Sequence, residues 1–231
     1  MDHRIIVQLD NVSKSYPEGS DNQRREIFNN LSLSIESGQS VSVVGPSGCG
    51  KSTLLNIIGS LDSPDSGKVE VCGSNISDLN DKALSALRAD KIGFVFQSHH
   101  LLPQISVIEN VMLPNLASSA PIEQSECSNR AIQLLESVGM ADHANKMPSE
   151  ISGGEMQRVA VVRSMINSPE LLLADEPTGA LDLARGEELI SLLLHLCEGQ
   201  KTALILVTHD IKTASRMQRN LAFEGTGIVE V

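Results

Sequence analysis

Apolar positions recur along this chain in three patterns, and each predicts a different element. Strict alternation marks Leu31-Ser32-Leu33-Ser34-Ile35-Glu36 and Lys68-Val69-Glu70-Val71-Cys72-Gly73 as strands with one buried face, the habit of an antiparallel sheet. Ile5 to Leu9 reads as a further strand. Short apolar runs, Val41-Ser42-Val43-Val44, Ile92 to Phe96, Leu171 to Ala174 and Ala203 to Val207, suit strands covered on both faces, as in a parallel sheet. Helical spacing fills most of the rest: Leu54-Leu55-Asn56-Ile57-Ile58, Asn80 to Ala89, Met156 to Met165, Asp182 to Leu196 and Ile211 to Arg219. Residues 98–150 show helical spacing only (Val107, Ile108, Val111, Met112; then Ala131, Leu134, Leu135, Val138), punctuated by Pro114, Pro121 and Pro148. Glu18 to Glu26 is polar and aperiodic and reads as a loop. Asp62-Ser63-Pro64-Asp65-Ser66-Gly67 reads as a turn, and Leu221 to Val231 as one or two terminal strands.

These patterns predict an α/β fold: a parallel sheet, an antiparallel β part and a helical insertion. At 231 residues the chain can bury a full core. No apolar run approaches the roughly 18–20 residues that cross a bilayer, and Met1-Asp2-His3-Arg4-Ile5 has no signal-peptide character. A cytoplasmic protein is expected, with any membrane role exercised through a partner. The net charge of −11 argues against a nucleic-acid partner, whose phosphates call for Lys and Arg. Cys49, Cys72, Cys127 and Cys197 form no C-x-x-C pair and read as reduced and structural. Cys49 alone lies in a chemically loaded stretch.

That stretch is Gly45-Pro46-Ser47-Gly48-Cys49-Gly50-Lys51-Ser52-Thr53. It matches G-x-x-x-x-G-K-[ST] between a strand and a helix, the arrangement that cradles phosphates on backbone N–H groups. Lys51 is expected at the β/γ-phosphates of a nucleotide, Ser52 at Mg²⁺ and Thr53 at a phosphate oxygen. Asp175-Glu176 closes a buried strand, the end where open parallel sheets bind ligands. Asp175 is the expected Mg²⁺ partner; Glu176 could orient or deprotonate an attacking water. Ser152-Gly153-Gly154-Glu155 opens a helix. It reads either as a second anion site or as a capping box, and the two roles could alternate.

Ser152 to Glu155, followed by Gln157-Arg158-Val159-Ala160 and by Leu172 to Asp182, resembles the nucleotide-binding domain of ABC transporters over nearly the whole chain. The resemblance implies a P-loop ATPase with a core at 1–97 and 158–231 and a helical subdomain at about 98–157. ATP and Mg²⁺ are the implied ligands. Tyr16 would stack on adenine, and Gln97 would link Mg²⁺ and water to the helical insertion. Asp182 would lie between the two sites of a dimer, and His209 would contact the γ-phosphate. Two copies would pair head-to-tail, each ATP held between one phosphate loop and the other copy's Ser152–Glu155 segment. The family pattern usually has Leu where Ile151 stands and often Gln where Glu155 stands; Met156 and Ala180 are further departures.

The words His99-His100-Leu101-Leu102-Pro103 and Glu109-Asn110-Val111-Met112-Leu113-Pro114 are similar to the MacB/LolD-like, lipoprotein-releasing group. This implies a separate membrane permease contacted near residues 97–114, on the cytoplasmic face of the inner membrane. The alternatives are the ATPase of another ABC transporter, such as a small-molecule importer, and, behind it, a soluble non-transport ABC ATPase. The adjacent histidines His99 and His100 lack metal-ligand spacing.

Overall fold

The computed structural model describes residues 4–18 and 23–231. Two sheets share one interior. The first is four-stranded, in the order β2-β1-β4-β5. It comprises β1 (Ile5–Glu18), β2 (Gln23–Glu36), β4 (Ser66–Val71) and β5 (Ser74–Asn75), all antiparallel. The second has the order β10-β9-β3-β8-β7-β6. Its strands are β3 (Ser40–Val44), β6 (Ile92–Phe96), β7 (Leu171–Asp175), β8 (Ala203–Val207), β9 (Arg219–Glu224) and β10 (Gly227–Glu230). All run parallel except β10, which pairs antiparallel with β9. The helices are α1 (Lys51–Ile58), α2 (Asp81–Lys91), α3 (Val107–Leu116), α4 (Gln124–Ser137), α5 (Gly153–Met165), α6 (Leu183–Gln200) and α7 (Ile211–Ala214).

The apolar runs of β7 and β8 are explained by their two covered faces. Leu171, Leu173, Ile205 and Val207 point toward α1 and the antiparallel sheet, where they meet Leu54, Ile57, Val7, Leu33 and Val69. Leu172, Ala174, Leu204 and Leu206 point the other way, onto Val159 and Val162 of α5 and Leu189 and Leu193 of α6. Side chains alternate across a strand, so a residue in either phase is apolar. Each fully buried leucine contributes on the order of 1.5–3 kcal/mol. The helical region joins the second of these cores through Val107 and Val111 of α3 and Leu135 of α4. Helix α5 runs unbroken from the Ser152–Glu155 segment into the sheet-facing layer.

Three expected elements differ. The polar stretch 18–26 is not a loop throughout: Glu18 pairs with Gln23, Pro17 with Arg24 and Tyr16 with Arg25, extending a hairpin beyond the sheet. Polar bonds hold it, with Arg24 Nε donating to Ser15 Oγ at 2.7 Å, so it carries no hydrophobic alternation. Residues 19–22 of that stretch lie outside the described residues. The helix expected over 211–219 ends at Ala214, and Arg219 already pairs with Val41 in the parallel sheet. Ser66 and Gly67, read as turn, begin β4.

Asn110 is fully buried and explains why the segment between β6 and α3 takes one shape. Its Nδ2 donates to the carbonyls of Leu102, Ile105 and Ser106 at 3.0–3.1 Å, and its Oδ1 accepts the Leu102 N–H at 2.8 Å. Replacing it with an apolar residue strands these groups without water. Asn110→Leu should lower unfolding stability by about 2–3 kcal/mol. Urea denaturation checks this as a fall in midpoint at unchanged slope.

Candidate active site

Strands β3, β7 and β8 run parallel and end at the same edge, where the loops after them converge. Helix α1 begins there on Gly50, which has φ +112° and offers its first turn no side-chain cap. Helices α2, α3, α5, α6 and α7 are instead capped by Asn80, Ser106, Ser152, Asp182 and Asp210. The first N–H groups of α1 are therefore left for an anion. A Cβ on Gly50 would fall 2.5 Å from Ile27 Cγ2, so glycine is required twice over, by φ and by space. Lys51 is buried, and its Nζ donates to the carbonyls of Gly45 (2.8 Å) and Pro46 (3.0 Å). One of its three donors remains.

A cleft of about 390 Å³ opens beside this loop, lined by Ser47, Gly48, Gly50, Lys51, Ser52, Thr53, Gln97, Asp175, Glu176 and His209. Four stretches remote in sequence, 47–53, 97, 175–176 and 209, thus meet in one place. Asp175, the last residue of β7, lines the cleft with Ser52. Burial raises its carboxyl above the usual value, against the opposing pull of Ser52. Glu176 has φ +48°, sparsely populated for a residue with a Cβ, and its N–H is tied to the Val207 carbonyl at 3.0 Å. Its Oε2 lies 2.8 Å from His209 Nδ1. Gln97 follows β6 and lies against Gly179; a Cβ on Gly179 would come within 2.8 Å of Gln97 Nε2.

The other expected residues lie apart. Ser152, Gly154 and Glu155 line a separate cavity of about 260 Å³ with Arg158 and Glu188. The capping box is present, with the Ser152 N–H donating to Glu155 Oε2 at 2.7 Å; Gly153 is the first residue of its helix. Asp182 caps α6 and lines a groove of about 810 Å³, which His209 also lines. Tyr16 stands on the extended hairpin, its hydroxyl donating to Asp62 Oδ2 at 2.6 Å. Lys14 Nζ lies 4.8 Å from its ring centroid and 2.8 Å from Asp62 Oδ1. Burial raises the Asp62 carboxyl, but the Lys14 and Tyr16 hydrogen bonds outweigh it and hold Asp62 below its usual value.

Cys49 fills space under the phosphate loop, where a Cβ on Gly45 would fall 2.7 Å from its Sγ. All four cysteines are free, and burial pushes the Cys72 and Cys197 thiols up to about 12. His99 and His100 lend their carbonyls to Arg163, each at 2.7 Å. Burial lowers the His99 ring below its usual value, with Arg163 adding to the effect. Arg25 and Ile27 line the cleft and were missed in the sequence, because only strand pairing brings them to it.

A profile described as ABC transporter matches residues 28–179, spanning the phosphate loop, the capping-box helix and the Asp175-Glu176 strand end. The chain belongs to the ABC transporter family. Two relatives, the lipoprotein-releasing system ATP-binding proteins LolD of Xanthomonas campestris pv. campestris (strain 8004) and Xanthomonas axonopodis pv. citri (strain 306), are 45% and 44% identical over 216 residues. Each comparison covers 94% of this chain, and 89% and 87% of the respective relative. Among solved structures, the ATP-binding cassette MJ0796, as a dimer in a post-hydrolysis state bound to ADP and Pi, superposes with a TM-score of 0.87 at 39% identity. It covers 97% of both chains. A second dimeric structure of MJ0796, a bacterial ABC transporter cassette, gives 0.85 at 40% identity over 96% of each. This ABC ATPase is LolD-like across its length and has the fold expected from its sequence.

The burial of Asp175 leaves a mark on the stability of this ABC ATPase. A carboxyl with a raised folded-state pKa makes the native state bind more protons than the unfolded one, so stability falls as pH rises through that window. Asp175→Asn carries no such charge. Without nucleotide it should melt at a higher temperature than the parent at pH 7, and the gain should shrink toward pH 4. Scanning calorimetry at both pH values checks the sign.

Proposed function

We propose that this ABC ATPase pairs with a second copy of itself around ATP and drives a separate membrane permease of the lipoprotein-releasing type. The observation that carries the reading is the convergence of Lys51, Ser52, Gln97, Asp175, Glu176 and His209 on one cleft beside an uncapped helix start. The 45% identity to the lipoprotein-releasing system protein LolD favours that type over an importer.

In this reading the β/γ-phosphates lie on the N–H groups of residues 47–53, with Lys51 turned toward them. Tyr16 offers its ring to adenine. Mg²⁺ fits the donor set: the Ser52 hydroxyl and the Asp175 carboxylate are hard oxygens on one cleft, which the Gln97 side chain also lines. When bound it would neutralise charge between the β- and γ-phosphates. Glu176 accepts a proton from the water that attacks the γ-phosphorus, giving ADP and inorganic phosphate. His209, held at Glu176, orients that carboxylate and reaches the γ-phosphate. Ser152, Gly153, Gly154 and Glu155 of the second copy close over the γ-phosphate, with Asp182 between the two sites. The γ-phosphate thereby supplies the contacts that distinguish the paired from the separated form.

Residues 98–157 are the helical part that moves with the permease. The docking site is the groove of about 410 Å³ between β6 and α5, lined by Leu61, Phe94, Phe96, Pro114 and Arg163, at the border of the expected 97–114 contact. No helix among the described residues is long and apolar enough to cross a membrane, so residence at the cytoplasmic face of the inner membrane comes from this contact.

Glu176→Gln tests the core of the proposal. It should bind ATP, lose turnover by about 10²–10⁴-fold, and accumulate as a dimer with ATP in analytical ultracentrifugation. Near-normal turnover would remove Glu176 from the role of base. A variant that is inactive yet monomeric with ATP would remove the ATP-held dimer. Purified from detergent-solubilised membranes with ATP, the same variant should carry a permease with a large external domain. A permease accompanied by a solute-binding protein would replace the lipoprotein-releasing reading with an importer.

A further inference from the structure

Arg25 stands directly opposite Tyr16 in the β1–β2 hairpin. Side chains at directly paired positions share a face, with Cβ atoms about 4.5–5.5 Å apart. From there the Arg25 guanidinium reaches the phosphate loop, its Nη2 donating to the Gly48 carbonyl at 3.0 Å. It lines the same cleft as Lys51, Ser52 and Thr53. Among the described residues it has no carboxylate partner, whereas its neighbour Arg24 is paired with Asp65 at 3.2 Å. A guanidinium has five N–H donors, and one of Arg25's is engaged by Gly48. The others form a fixed fork suited to a phosphate.

We propose that Arg25 is a further nucleotide-binding residue that contacts the α-phosphate. The inference rests on the nucleotide reading above, with the base at Tyr16 and the β/γ-phosphates at Lys51. A nucleotide so placed runs its ribose and α-phosphate past the position between them, which Arg25 occupies. Lys14 covers one face of the Tyr16 ring and is itself held by Asp62, which leaves the other face to the base. Arg25 then joins the two halves of recognition, an aromatic platform on the hairpin and an anion cradle on the loop. In a chain of net charge −11, this cation also offsets Asp175 and Glu176 on the approach of a polyanion.

The test is calorimetric titration of the parent, Arg25→Ala and Lys51→Ala with ATP, ADP and pyrophosphate, all with Mg²⁺. Pyrophosphate carries the β/γ portion without an α-phosphate ester or base. Arg25→Ala should weaken ATP and ADP by about tenfold and leave pyrophosphate unchanged. Unchanged ATP and ADP affinity would overturn the proposal. Equal weakening of all three ligands would overturn it too, because Arg25 would then act only by holding the Gly48 carbonyl. Lys51→Ala separates this from the parent reading: if it binds ATP normally, the nucleotide site itself is misplaced, whatever Arg25 does.

Discussion

The structure depends on one unmet demand, the uncapped N-terminus of α1. Among the described residues the other α-helix starts are closed by Asn, Ser or Asp side chains, apart from α4. Glycine at the start of α1 gives up that local bond and holds a backbone that other residues adopt at a cost. The fold around it compensates. Leu54, Ile57 and Ile58 anchor α1 with no exposed surface, and parallel strands on both sides fix where the loop emerges. Packing energy spent on one face of the helix thus keeps its open end available for a ligand.

The same trade recurs around the cleft. Asp175 is buried enough to resist ionisation, and Glu176 sits in a left-handed backbone conformation. Gln97 closes against Gly179 with no room for a Cβ. None of these arrangements favours the folded chain by itself. They persist because the strands that deliver them, β6, β7 and β8, are hydrogen-bonded in register and covered on both faces. Residues that carry chemistry are held at the ends of elements whose stability comes from elsewhere.

Much of this was legible in the sequence because it was written in patterns of high information. The apolar runs gave β3, β6, β7 and β8, and the glycine-rich loop gave the uncapped helix start at Gly50. The strand end at Asp175-Glu176 followed from the rule that ligands bind beyond the carboxyl ends of parallel strands. What escaped was carried by pairing rather than by periodicity. The pairing of residues 16–18 with 23–25 carries little apolar alternation and is bonded through Ser15, Arg24 and Asp65, so hydrophobic periodicity has nothing to report there. Arg25 became visible only through its register opposite Tyr16. Asn110 belonged to a family word, yet its work of holding four backbone groups of its own approach segment needed coordinates.

His209 has a position that single-cleft thinking overlooks. It lines both the cleft of the phosphate loop and the large groove beside Asp182, and it touches Glu176. A molecule seated in the groove would therefore lie against the same imidazole that is bonded to Glu176. One ring would then report on both spaces, as a coincidence detector does. On the proposed function, nucleotide bound without a neighbour in the groove would leave that detector half satisfied.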